Sequence, residues 1–98
     1  MRKILKNEII KSYPTPHPQV VWEPVDETVV LLQLNTGYSC ILEGISCDIW
    51  KLMDGKTSLS EIADTLLESY DVPRPRFFKD LEKFTLELEQ QQLVEVLG

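Results

Sequence analysis

Two hydrophobic periods divide the chain after residue 19. Val20-Val21-Trp22-Glu23 is a run of β-formers that stops at Pro24. Thr28 to Leu34 holds Thr, Val and Leu with one Gln, and reads as too apolar for a strictly half-exposed strand. Asn35-Thr36-Gly37 is a turn signal in which Gly37 is free to take positive φ. Tyr38 to Leu42 follows as the return strand. The pattern predicts two or three antiparallel strands, a meander ending in a tight hairpin.

The second period is helical. Ile45, Ile49, Leu52 and Met53 recur at helical spacing, and Asp54-Gly55 is expected to close that helix with a glycine C-cap. Ser58-Leu59-Ser60-Glu61 has the form of a capping box. Leu59, Ile62, Ala63, Leu66, Leu67 and Tyr70 then make an apolar stripe, ended by Asp71-Val72-Pro73. Pro75 suits the first turn of a third helix. There Phe77, Leu81, Phe84 and Leu88 share a narrow arc and are expected in the core, with Phe78 and Leu86 off it. Leu93-Val94-Glu95-Val96 is a short apolar segment that packs back as a turn or strand. The order is β-β-β-α-α-α, an α+β chain.

Before residue 20 the pattern changes. Pro14, Pro16 and Pro18 alternate with Thr15 and His17, which favours extended, polyproline-like backbone. Arg2, Lys3, Lys6 and Lys11 against Glu8 give this stretch +3, so the remainder carries −9 of the net −6. Residues 1–19 are expected to form a basic arm, a tail rather than a docked segment, and residues 20–98 the folded domain. With 98 residues there is room for one domain only. The acidic balance argues against nucleic acid, which leaves a basic footprint on its binders. No apolar run is long enough to span a bilayer or to act as a signal peptide. A cytoplasmic chain is expected. Cys40 and Cys47 read as two small buried hydrophobes.

Catalytic chemistry finds few candidates. His17 is the single histidine and lies in the proline-rich arm, remote in sequence from either cysteine. The two cysteines lack the spacing and partners that zinc requires. The four glycines form no phosphate-binding motif. On the third helix Asp80, Glu82, Glu87 and Glu89 alternate with Lys79 and Lys83, the pattern of a solvated face. No enzyme, metal or cofactor is expected. A binding function remains: the strand Tyr38–Leu42 lies at a sheet edge, where a guest strand can add through main-chain hydrogen bonds.

The ordered set from Leu31 to Leu93 resembles the PqqD-like family, the peptide-recognition elements of ribosomal peptide-modification systems. The resemblance rests on Leu42, Gly44-Ile45, Ile49-Trp50, Leu52, Asp54-Gly55, Thr57, Glu61-Ile62, Leu66, Tyr70, Val72, Asp80, Phe84, Leu88 and Leu93. It covers about two-thirds of the chain. Two positions depart from the family pattern: Glu43 stands where Asn is usual, and Gln92 where Gly is usual. The first puts in doubt the N-cap of the first helix, the second the end of the third.

The resemblance implies a winged-helix-like fold, a three-stranded antiparallel sheet followed by three helices. It implies that the leader segment of a precursor peptide binds as an added strand along Tyr38–Leu42 and against the third helix. The expected peptide-binding residues are Tyr38, Ser39, Cys40, Ile41 and Leu42 on the strand, with Asp80, Leu81, Lys83, Phe84 and Glu87 on the helix. Asp80 matches a recurrent family Asp and is the best single polar contact, although a plain surface charge explains it equally well. Leu42 is core, so Ser39 and Ile41 are expected to face away. Trp50 and Tyr70 match core positions, while Trp22 reads as core or as a partial cover. Phe78 and Leu86 are candidate contacts for a partner enzyme.

The free-standing recognition proteins of lasso-peptide clusters are the most similar in style, their partner being a leader peptidase. The alternative readings are a peptide chaperone for a radical enzyme and a winged-helix structural or nucleic-acid-binding module. The chain is expected to be a monomer, or a strand-swapped dimer through its exposed edge.

Overall fold

Five strands, one 3-10 turn and three helices account for residues 9–97, which the computed structural model describes. The 3-10 turn spans Ile9–Lys11. The strands are β1 Tyr13–Pro16, β2 Val20–Val25, β3 Thr28–Gln33, β4 Ser39–Glu43 and β5 Val94–Leu97. The helices are α1 Ile45–Leu52, α2 Leu59–Leu67 and α3 Arg74–Gln90. The strands β2-β3-β4 form an antiparallel meander, and β1 pairs with β5 in a separate two-stranded sheet. The three-stranded sheet followed by three helices is the architecture expected from the sequence, with the β1–β5 ribbon added.

Burial in β3 alternates strictly. Val29, Leu31 and Gln33 point into the core, and Val30 and Leu32 stand exposed. The apolar run was therefore misleading: β3 is half-exposed, and its outer face happens to be apolar too. Val21, Val25 and Ile41 are exposed beside Val30 and Leu32 on that face.

The helices close the inner face. Trp50, Leu59, Ile62, Leu81 and Leu93 are almost wholly buried among them. The capping box is present as read: Ser58 Oγ accepts from the Glu61 amide at 3.2 Å, and Glu61 Oε1 accepts from the Ser58 amide at 3.0 Å. Two caps differ from expectation. Gly44, at φ +59°, occupies the N-cap of α1 instead of Glu43, and Met53 rather than Gly55 is its C-cap. On α3, Phe84 is only half-buried, and Thr85 takes the core position, its Oγ1 donating to the Leu81 carbonyl at 2.8 Å. A hydroxyl that bonds its own helix one turn back is compatible with burial.

Tyr70 is half-buried and its hydroxyl donates to Asp48, the contact that raises its pKa most. Trp22 stands partly exposed as a cover over Trp50, edge to face at 6.0 Å between ring centroids.

The arm is docked over its described part. β1 lies antiparallel to β5, with Pro14 opposite Val96. Ile9 is fully buried. The Ser12 carbonyl accepts from the Leu59 amide at 2.9 Å, and the Pro14 carbonyl from the Gly55 amide at 3.0 Å. A Cβ on Gly55, already at φ +77°, would meet Thr15 Cβ at 3.2 Å, so the arm also explains that glycine. The tail expected of residues 1–19 is thus corrected over 9–19. The extended reading of the prolines stands, because Pro14 turns its carbonyl to Gly55 rather than to β5, so neither it nor Pro16, at the same parity, is asked for a ladder N–H. Arg2, Lys3, Lys6 and Glu8, which set the charge of the arm, lie outside the described residues. Among those described, no helix is long and apolar enough to cross a membrane.

Candidate functional site

The two edges of the meander are not equivalent. Leu34 donates its amide to the Gln19 carbonyl, and Gln33 donates its own to the Tyr38 carbonyl, both at 2.8 Å. Antiparallel ladders alternate, so Val30 and Leu32 continue the bonding toward β2, and Leu31 and Val29 toward β4. On β4, Cys40 and Leu42 are paired with Leu31 and Val29 and spend their main-chain groups on β3. Ser39, Ile41 and Glu43 therefore turn their N–H and C=O groups away from the sheet. On β2 the outward positions are Val20, Trp22 and Pro24. The Val20 amide is already bound to the His17 carbonyl at 3.0 Å, and Pro24 has no N–H. The β2 edge offers a guest only Trp22 between a bonded amide and a proline, whereas the β4 edge offers the three outward residues Ser39, Ile41 and Glu43.

Beside the open edge lie two cavities that share Phe84. One, of about 310 Å³, is walled by Tyr38, Cys40 and Leu42 of the hairpin and by Phe84, Glu87, Leu88 and Gln91 at the end of α3. The other, of about 370 Å³, lies between α1 and the start of α3. Its walls include Ile45, Ile49, Val72, Phe77, Asp80, Leu81 and Phe84. Joined at Phe84, they form a groove along α3 that is apolar between α1 and α3 and of mixed polarity beside β4.

The residues expected from sequence fall unevenly along it. Tyr38, Cys40, Leu42, Phe84 and Glu87 line the first cavity, and Asp80, Leu81 and Phe84 the second. Ser39 and Ile41 face the outer side, Ile41 being 60% exposed against 8% for Leu42. That inside-outside assignment agrees with the expectation for this strand. Lys83 lines neither cavity. Asp80 pairs with Arg76 at 3.7 Å on an exposed rim.

Phe77 and Leu88, expected in the core with a rim toward the groove, show that rim, and Ile45 and Ile49, expected only at helical spacing, also present a surface to it. Helical spacing places a residue on a face but does not say whether that face is fully covered. Phe78 and Leu86 are half-buried against the core, and the Arg74 guanidinium lies 4.8 Å over the Phe78 ring.

The electrostatics of the groove are quiet. Cys40, half-buried beneath the edge, has its thiol pKa raised by desolvation, so it stays neutral. Two of the cations of α3 are engaged, Arg74 with Asp64 and Arg76 with Asp80. Among the described residues, no three His, Cys, Asp or Glu side chains gather as a metal site would require.

The fold thus sets an antiparallel meander with an open β4 edge beside a groove along a long helix. Residues 28–94 match the family described as coenzyme PQQ synthesis protein D, and the chain belongs to it. Among solved structures, TbiB1 in complex with the TbiA(beta) leader peptide is similar at 33% identity. The alignment covers 83% of this chain and 94% of that one, with a TM-score of 0.78. A lasso peptide synthetase B1 complexed with its leader peptide shares the fold at 19% identity and a TM-score of 0.77, over 85% of this chain and 98% of that one. No curated protein matches the chain.

Proposed function

We propose that this chain binds the leader segment of a ribosomally made precursor peptide as an added antiparallel strand on β4. It presents that peptide to a separate processing enzyme, a leader peptidase of a lasso-peptide pathway, and itself acts as an adaptor without catalysis. The observation that carries the reading is the open edge of β4 beside the groove. Ser39, Ile41 and Glu43 offer an alternating set of main-chain donors and acceptors to a guest. The solved complexes of TbiB1 and of the lasso peptide synthetase B1 with leader peptides support it.

The ladder sets the register of the guest. The guest residue opposite Ile41 faces outward with it. Its two sequence neighbours, opposite Cys40 and Leu42, face the groove. Apolar leader residues thus belong at alternate positions, and those beyond the Glu43 end reach the cavity between α1 and α3. Nucleic-acid binding is disfavoured because α3 is charge-balanced and two of its cations are paired.

The test is a polarisation titration with the labelled leader of the precursor encoded beside this gene, repeated as an N-methyl scan. Removing single N–H groups weakens binding about fivefold at every second residue across the strand and not between, since one hydrogen bond contributes about 1 kcal/mol. Binding without that two-residue period would leave a leader binder that does not use strand addition. No binding by folded protein would end the proposal.

A further inference from the structure

Gln33 breaks the apolar inner row of β3. Val29 and Leu31 precede it on that face, and all three are fully buried. A buried amide is costly unless both its ends are bonded. Here Oε1 accepts from the Asn35 amide at 2.7 Å, and Nε2 donates to the Gln92 carbonyl at 2.9 Å. The main-chain N–H of the same residue donates to the Tyr38 carbonyl at 2.8 Å. His17 Nδ1 lies 3.5 Å from Nε2 and accepts from the Gln19 amide at 3.0 Å, which brings the arm to the same point.

These partners belong to the two walls of the groove. Tyr38 and Asn35 hold the hairpin that delivers β4, and Gln92 lies between Gln91, the C-cap of α3, and Leu93, both of which line the groove. One residue thus bonds one wall with its backbone and the other with its side chain. An aliphatic residue would fill the space in the core without joining the walls.

We propose that Gln33 is a positioning residue for peptide recognition: it fixes the spacing between the β3–β4 hairpin and the end of α3. It therefore governs how tightly the C-terminal half of the guest strand is held. The proposal rests on the strand-addition reading. An antiparallel guest enters at the Glu43 end and leaves at the Tyr38 end, so only its later residues lie between the walls that Gln33 joins. The cavity between α1 and α3 is lined by none of the residues of this tie.

The experiment compares two leader peptides, one spanning the whole groove and one truncated before the residue opposite Ser39. Both are titrated against the wild type, Gln33→Met and Gln33→Glu. Met keeps length without polarity. Glu keeps the acceptor for Asn35 and loses the donor to Gln92. Expected is a tenfold or greater loss for the long peptide in both variants, appearing as faster dissociation, with the short peptide unchanged. In the free Glu variant, hydrogen exchange at the Asn35 amide stays slow while the groove defect persists.

Equal weakening of both peptides, or none, in folded variants would make Gln33 a core residue only and overturn the proposal. If Met prevents folding, the Glu variant decides alone. Failure of the wild type to bind either peptide would instead refute the strand-addition reading, and this inference with it.

Discussion

The Leu93 amide donates to the Leu88 carbonyl at 2.9 Å, bridging the end of α3 to the start of β5. With the Gln92 amide bonded to the Glu89 carbonyl at 2.9 Å, the pair makes a Schellman closure whose left-handed residue is Gln92, at φ +59°. Glycine is usual at such a site. Its replacement by Gln leaves the geometry intact and places the strain on one exposed residue. A non-glycine residue there costs roughly 1–2 kcal/mol, and the freedom of glycine in the unfolded chain returns about half of that. Gln92→Gly should therefore stabilise the fold by about 0.5–1 kcal/mol and raise the melting temperature by several degrees. A lower Tm by calorimetry would show that the Gln92 side chain contributes something the closure alone does not need.

The docked arm can be weighed through Ile9. Its side chain is fully buried in the common core, near α2 and α3. Ile9→Ala should cost about 2–4 kcal/mol in urea unfolding, as other large-to-small core changes do. Lys11→Ala, at an exposed position two residues on, should change stability little. Equal, small effects would mean that the arm is a tail after all.

Ile41 and Cys40 are adjacent on β4 but spend their amides in opposite directions. Ile41→Pro removes an outward N–H, so the sheet is expected to survive while leader binding falls at least tenfold. Cys40→Pro removes a ladder bond to β3 and should destabilise the fold by about 3 kcal/mol or more. Circular dichroism and a binding titration on the two variants separate these outcomes. Unimpaired binding by Ile41→Pro would place the guest elsewhere.

The Cys40 thiol gives a probe of the groove itself. Its raised pKa means less thiolate at any given pH, so iodoacetamide should react more slowly than with an exposed thiol. The rate should go on rising with pH beyond the ordinary thiol range, where that of an exposed thiol levels off, and saturating leader peptide should slow it further. Mass spectrometry at several pH values reads both effects. Protection absent at saturation would mean that the guest does not cover Cys40.

Asp54 couples stability to acid. The Lys56 amide, and then Thr57, hold its carboxylate below the usual range against a smaller opposing effect of desolvation. A carboxylate depressed by folding contributes its stability above the unfolded pKa, about 3.9, and loses it as pH falls through the folded value. The wild type should therefore weaken below about pH 4, and Asp54→Asn should flatten part of that limb in urea midpoints measured across pH. An identical slope in both proteins would assign the acid sensitivity to other groups.

Much of this arrangement was legible because local rules and tertiary packing agree. The Ser58–Glu61 box, Pro75 in the first turn of α3 and the Gly37 turn all stand where their chemistry requires. The misreadings share a cause, which is that partners distant in sequence decide them. Nothing local to Ile9 or Pro14 announces that β5 will pair with β1. Thr85 was not read as core because its burial depends on a bond to its own helix. Along the groove, Ile49 and Phe77 have the periodicity of core residues, and only the gap between α1 and α3 shows that one side is uncovered. The open edge was foreseen, but its exclusivity was not, because that depends on the Val20 amide finding the His17 carbonyl.

Pro24 gives that exclusivity a wider consequence. Chains with two accepting edges can stack one upon another without limit, the beginning of a fibre. A meander with one full accepting edge can extend in one direction only. Whatever occupies β4 leaves the meander no second full edge, so end-to-end stacking of copies through this sheet is disfavoured.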